Sequence, residues 1–201
     1  MQNRFSRSGS TGTTPGSQTA VNAGAQGRVH DPRIVLLVGF MGAGKTSVGR
    51  ALSRRLGWWF EDLDDRIEDR EGKTIEQIFQ ESGEAEFRRA ETAALRELVG
   101  ELRRSPGVVA LGGGAFVQVE NAAMIVEAAV HTVFLEAPVE ELLRRCELET
   151  KERPLRQNQE QFRDLYEKRR QSYMRATLRI ETGGKDVDAV AAEVACSLGL
   201  G

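Results

Sequence analysis

Eight consecutive residues, Gly39-Phe40-Met41-Gly42-Ala43-Gly44-Lys45-Thr46, fit the pattern GxxxxGK[ST] at every fixed position. Such a run is a phosphate cradle. Its glycines let backbone wrap closely around phosphate oxygens, with several N–H groups turned inward. The helix N-terminus that follows adds partial positive charge. In this arrangement Lys45 reaches the β- and γ-phosphates, and the Thr46 hydroxyl can ligate Mg²⁺. Gly42, Ala43, Gly44 and Ser47 belong to the same nucleotide-binding set. A glycine-rich turn that binds nothing is the bland alternative. The flanking residues argue against it, because a buried-strand pattern precedes the loop and an amphipathic helix pattern follows. The motif indicates a nucleoside triphosphate; by itself it does not separate a kinase from a GTPase, an ATPase or a motor.

A second cluster of chemistry-bearing residues lies in Phe60-Glu61-Asp62-Leu63-Asp64-Asp65. Carboxylates two apart at a strand end would both point into the crevice above a sheet, since strand side chains repeat every two residues. One could hold Mg²⁺ through water and the other accept a hydrogen bond from an attacking hydroxyl. The competing explanation is an acidic start to the next helix, which the helix dipole favours. Further along stand Phe87-Arg88-Arg89, Gly112-Gly113-Gly114, Arg153-Pro154-Leu155 and Lys168-Arg169-Arg170-Gln171-Ser172-Tyr173. Each has an ordinary structural reading. Arg88 could pair with Glu84 or Glu91 along its helix, Gly113 could be a turn, and Arg169 could be a solvated helix charge.

The elements that must position these groups alternate between strand and helix. Residues 34–38 form a continuous aliphatic run, as in a parallel strand buried on both faces. Residues 45–56 have helical spacing, with Val48, Leu52 and Leu56 on one face and Gly57 closing it. The pattern predicts a strand at 58–60 and helices over 64–80 and 84–102, punctuated by Gly72 and Gly83. Strands follow at 107–111 and 131–135, and Pro138 starts a helix to about Cys146. The charged, Pro-containing stretch 147–161 reads as a lid loop. A helix over 162–176, a strand at 177–180 and a helix over 187–198 complete the chain. Alternation of this kind implies an α/β protein with a parallel sheet and helices on both faces.

Composition narrows the class. The chain has 201 residues and a net charge of −2, which suits one domain and gives no general case for a nucleic-acid partner. No apolar run approaches the roughly 18 residues that span a bilayer. Cys146 and Cys196 show no metal or redox spacing, as expected of reduced thiols in the cytoplasm. Residues 1–32 are predicted to be a disordered tail and residues 33–201 the folded domain. The first thirty residues are polar, contain no Asp or Glu and carry three arginines. An acid-free, Arg- and Ser-containing start also suits an organelle transit peptide.

Taken together and in this order, GFMGAGKTSVGR, F-E-D-L-D-D, G-E-x-E-F-R-R, A-L-G-G-G-A, R-P-L and the R-x-x-x-Y helix resemble the shikimate kinase family, over about residues 34–198. The resemblance implies a three-layer α/β/α P-loop kinase fold with about five parallel strands, a lid and a substrate-binding helical segment. It implies transfer of the γ-phosphoryl group of ATP to the 3-hydroxyl of shikimate by a monomeric, Mg²⁺-dependent enzyme. By the same resemblance Asp64 contacts substrate hydroxyls and is the proposed base, and Asp62 helps hold Mg²⁺. Arg88, Arg169 and the Gly113 amide bind the shikimate carboxylate, and Phe79 and Phe87 lie beside the ring. Arg153 sits in the lid over ATP, Arg145 is a second phosphate-side arginine, and Lys185 lies near the adenine. Pro is common in the family's R-x-P-x-Y segment. Gln171 and Ser172 stand there instead, so a slight change in helix geometry is expected. Two other readings stay open: a different small-molecule P-loop kinase, such as a gluconate or nucleoside monophosphate kinase, and a nucleotide-binding scaffold without turnover.

Overall fold

A computed structural model describes residues 31–102, 104–148 and 159–200. The aliphatic run lies in β1 (Asp31–Val38), which starts slightly ahead of Arg33. Ile34, Val35, Leu36, Leu37 and Val38 are each no more than 1% exposed. Alternate residues point to opposite faces, so both faces of β1 are covered, as a parallel strand at the centre of a sheet requires. The other strands are β2 (Trp59–Asp62), β3 (Gly107–Ala110), β4 (Val130–Glu136) and β5 (Leu178–Glu181). All pair in parallel, in the order β2-β3-β1-β4-β5. The expected five-stranded three-layer architecture is therefore present.

The first helix, α1 (Lys45–Leu56), buries Val48, Ala51 and Leu52 and ends at Gly57 in the left-handed conformation, φ 67°. It lies very close to β2. A Cβ placed on Gly49 would sit 2.3 Å from the Phe60 ring. This close approach sets the distance between the helix carrying Thr46 and the strand ending in Asp62.

The next helical stretch divides differently from the expected 64–80 and 84–102. Helix α2 (Leu63–Glu71) stops at Gly72, φ 64°, and α3 (Ile75–Leu102) begins afresh. Thr74 and Gln77 explain the restart. Gln77 N donates to Thr74 Oγ1 at 3.2 Å and Thr74 N donates to Gln77 Oε1 at 2.9 Å, a reciprocal capping box. Gly83, φ 78° and ψ 175°, is non-helical, so α3 is two helical segments meeting at a kink there, at the break expected between 80 and 84. A short 3₁₀ turn (Ala115–Val117) and α4 (Val119–Ala128) are absent from the sequence expectation. Valines at 117 and 119 weaken the helical signal, and Gln118 makes no side-chain cap.

Helix α5 (Val139–Leu148) and α6 (Gln159–Tyr173) bracket the expected lid. Both extend into the range 147–161, so residues 147–148 and 159–161 are helical rather than loop. Residues 149–158, including Arg153, lie outside the described residues. Helix α6 runs unbroken through Gln171 and Ser172. The chain closes with α7 (Val187–Ser197), capped by Asp186, whose carboxylate accepts from Ala189 N at 2.8 Å.

Gly49→Ala should cost about 1–3 kcal/mol in urea unfolding, because the Phe60 ring or α1 must move. An unchanged midpoint would show that α1 and β2 have room to spare.

Candidate active site

The site is built at the carboxyl ends of the central strands, where open α/β sheets place their ligands. The β1–β3 ladder continues past the strands through Leu111 N donating to Leu37 O at 2.9 Å. It brings the glycine loop after β1 beside the glycine turn after β3. A Cβ on Gly113 would lie 3.8 Å from the Gly39 carbonyl oxygen.

In the phosphate loop, Gly42 is left-handed, φ 77°, and a Cβ there would meet Leu142 O at 2.7 Å and Cys146 Sγ at 2.9 Å. The loop thus rests directly on α5. Lys45 Nζ donates to Phe40 O at 3.0 Å, folding the side chain back over the loop. Thr46 Oγ1 donates to Asp62 Oδ2 at 2.6 Å, and Asp62 Oδ1 accepts from Asp64 N at 3.1 Å. Asp62 is therefore the N-cap of α2, and Asp64 is already in that helix's first turn. The two carboxylates come together through a helix cap rather than through the expected strand alternation. The competing explanation, an acidic helix start, holds: Asp62 is the cap, and Asp64 and Asp65 lie in the first turn.

A cavity of about 580 Å³ opens beside the loop, lined by Gly42, Gly44, Ser47, Arg145, Thr182 and Lys185 among others. Arg145 reaches from α5 across its wall. It donates to Gly42 O at 3.3 Å, Thr182 O at 3.0 Å and Glu141 Oε1 at 2.5 Å. Lys185 Nζ pairs with Glu193 at 2.6 Å. The structure so joins Arg145 and Lys185 to the phosphate loop. Thr182 was missed from sequence; its position just past β5, at a strand's carboxyl end, was the available signal.

The triple-glycine turn gathers the second half of the site. A Cβ on Gly112 would lie 2.5 Å from Asp64 Oδ1. One on Gly113 would lie 3.4 Å from Arg169 Nη1, and one on Gly114 2.5 Å from Arg88 Nη1. Three glycines thus admit three side chains from α2, α6 and α3, which no substituted residue at 112 or 114 would allow without displacement. Tyr173 OH donates to Gly113 O. Arg88 pairs with Glu84 at 3.2 Å and Glu91 at 2.9 Å, as its ordinary helical reading anticipated. Phe79 stacks on Phe87, ring centroids 4.7 Å apart, and the Arg88 guanidinium lies 5.0 Å from the Phe87 centroid. Phe87 is core, whereas Phe79 is 38% exposed at the surface.

Glu91 has a place here that the sequence did not disclose. It is 1% exposed and accepts from Arg88 and from Gln118 Nε2. Burial pushes its carboxyl pKa up, with Arg88, Gln118 and Arg169 holding it partly back. A pairing with Arg88 was legible from the i,i+3 spacing. That the pair is buried beside the glycine turn was not.

A family model described as shikimate kinase matches residues 41–198. The chain belongs to the shikimate kinase family. It is 45% identical to the shikimate kinase of Geobacter metallireducens, with 81% of this chain and 89% of that relative covered. Among solved structures it resembles the Acinetobacter baumannii shikimate kinase in complex with shikimate, at TM-score 0.75 and 40% identity. That match covers 83% of this chain and 93% of that one. It also resembles the Aquifex aeolicus shikimate kinase, at TM-score 0.73 and 35% identity, over 83% of this chain and 96% of that one. Shikimate kinases move a phosphoryl group from ATP to shikimate. No helix among the described residues is long and apolar enough to cross a membrane.

The buried Glu91 carboxyl gives the protein a pH signature. Its folded pKa lies above the unfolded value of about 4.3. Between the two values the folded state binds more protons, so Glu91's contribution to stability falls as pH rises through that window. Relative to Glu91→Gln, the wild type should therefore lose unfolding free energy from about pH 4 upward and level off above the raised pKa. A pH-independent difference in urea unfolding would contradict the direction of the shift.

Proposed function

We propose that this chain catalyses transfer of the γ-phosphoryl group of ATP to the 3-hydroxyl of shikimate, giving shikimate 3-phosphate and ADP. The observation that carries the proposal is the triple-glycine turn with Asp64, Arg169 and Arg88 packed against its three residues, next to the phosphate loop. A small anionic polyol needs this set. Guanidinium forks match a carboxylate in plane and in pairs, glycine backbone can approach the substrate closely, and a carboxylate can accept from a hydroxyl. Arg88 and Arg169 take the acceptor carboxylate together with the Gly113 amide. Asp64 orients the attacking hydroxyl and receives its proton. Phe79 and Phe87 bound the apolar side of the ring.

Phosphoryl transfer leaves the protein mainly positioning and charge stabilisation. Gly42, Ala43, Gly44, Thr46 and Ser47 hold the ATP phosphates through the loop and the start of α1. Lys45 exchanges its Phe40 carbonyl for phosphate oxygens and offsets charge on the transferring group. Arg145 and Lys185 line the nucleotide cavity. Arg153, in the lid segment, adds charge and helps exclude water, a competing nucleophile.

Thr46 Oγ1 and Asp62 Oδ2 stand 2.6 Å apart at the phosphate end of the loop. Two hard oxygens, with no group of three or more metal-ligating side chains among the described residues, suit Mg²⁺, which keeps waters and takes its remaining ligands from phosphates. When bound, the ion would neutralise charge on the β- and γ-phosphates. The same proposal places the enzyme in the cytoplasm as a monomer; its domain starts with β1 at Asp31, two residues ahead of the expected boundary at 33, and the expected tail otherwise lies outside the described residues.

An ADP-release assay with shikimate, gluconate and nucleoside monophosphates tests the assignment. Turnover should be confined to shikimate; equal or greater turnover with another acceptor would overturn it. Lys45→Ala should stay folded and lose turnover by orders of magnitude. Arg88→Lys and Arg169→Lys keep charge but lose the two-donor fork, so each should weaken shikimate binding by about 10- to 100-fold and leave ATP binding unchanged. Asp64→Asn should retain much of the binding and lose most turnover.

A further inference from the structure

Tyr173 is fully buried, 0% exposed, with its ring 5.3 Å from that of Phe134. A phenol so placed needs partners for its hydroxyl. It has two, and both belong to the acceptor side of the site. The hydroxyl donates to Gly113 O, and the Arg169 guanidinium interacts with it electrostatically at the same turn. Arg169 and Tyr173 are four residues apart on α6, so they share one helix face. The position of a Gly113 Cβ, 3.4 Å from Arg169 Nη1 and 3.8 Å from Tyr173 OH, marks where helix and turn meet.

We propose that Tyr173 is a positioning residue for the acceptor, its hydroxyl tying the Arg169 guanidinium to the Gly113 turn so that both meet the substrate as one preset unit. The inference rests on the assignment of Arg169 and Gly113 to the shikimate carboxylate. Tyr173 touches neither reacting atom. Its effect is on pre-organisation: without the hydroxyl, Arg169 regains rotamer freedom and the Gly113 carbonyl loses the group that fixes its peptide plane. Burial pushes the phenol pKa up, so it stays an O–H donor across the working pH range.

The helix does not depend on this hydroxyl for docking. Earlier along the same face, Arg170 Nε donates to Glu136 Oε1 at 2.6 Å, and Tyr166 OH donates to the same oxygen at 3.3 Å. Glu136 Oε2 faces Arg179 as an ion pair. With α6 anchored to β4 there, Tyr173→Phe keeps the buried ring and removes only the two hydroxyl contacts.

The test uses the full chain with Tyr173→Phe, Arg169→Lys and the double variant. Shikimate affinity is measured by calorimetry without nucleotide and as KM at saturating ATP. Tyr173→Phe should weaken shikimate by about tenfold in both measures. kcat and the ATP KM should stay within about twofold of wild type. In the Arg169→Lys background the same change should cost less than about twofold, because it acts through a fork already lost. Unaltered shikimate affinity in Tyr173→Phe, or a full additional loss in the double variant, would overturn the inference. So would a parallel rise in the ATP KM, which marks a general packing defect. If the wild type neither binds nor phosphorylates shikimate, the acceptor assignment falls and this inference with it. A working wild type with an indistinguishable Tyr173→Phe variant removes the inference alone.

Discussion

The parallel pairing of β1 with β3 places two glycine turns side by side at the carboxyl ends of the strands. The register, with Leu37 opposite Ala110, carries on into the bond from Leu111 N to Leu37 O. Immediately beyond it one chain segment forms the phosphate loop and the other the triple-glycine turn, the proposed acceptor side. A one-residue slip would turn every side chain of β3 to the opposite face. It would also carry Gly113 away from Gly39. The apolar covering of both faces of β1 makes that slip costly, so core packing fixes how far donor and acceptor stand from each other.

Around this pair of turns, single residues serve two neighbours at once. Asp62 caps α2 and accepts from Thr46, so the helix carrying Asp64 and the helix carrying the phosphate loop are tied through one carboxylate. Glu91 is buried beneath Arg88, and Gln118, from the segment after the glycine turn, donates to the same carboxylate oxygen as Arg88 does. Helix α6 is anchored along one face, to Glu136 through Tyr166 and Arg170 and to Gly113 through Tyr173. Buried polar groups must be satisfied, and here they are satisfied by one another. The result is a site whose charged groups are set before substrate arrives, which is where binding energy is best used.

The phosphate loop was legible because its chemistry is written in adjacent residues. Asp62, Asp64, Arg88, Gly113 and Arg169 were legible only as an ordered set through the family resemblance, since each alone has an ordinary structural reading. What the sequence withheld was tertiary. The i,i+3 spacing shows that Glu91 can pair with Arg88 but cannot show that the pair is buried. The cap at Asp62 was hidden because the extended run and the helix share that residue. The break between α2 and α3 turned on the Thr74–Gln77 capping box, and α4 lacks both a polar cap and a clear periodicity. Thr182 reaches the nucleotide cavity only because β5 ends beside α5.

Two arginines, from α3 and α6, and an aspartate from α2 pack against one glycine turn beside the phosphate loop, and the proposal is that together they hold one small acid there. A crystal structure of the protein with shikimate and ADP tests it most directly. The account predicts the carboxylate within hydrogen-bonding distance of Arg88, Arg169 and the Gly113 amide, with a ring hydroxyl on Asp64 facing the phosphate loop. Shikimate bound with its carboxylate away from both arginines, or with its hydroxyls turned from Asp64, would contradict it.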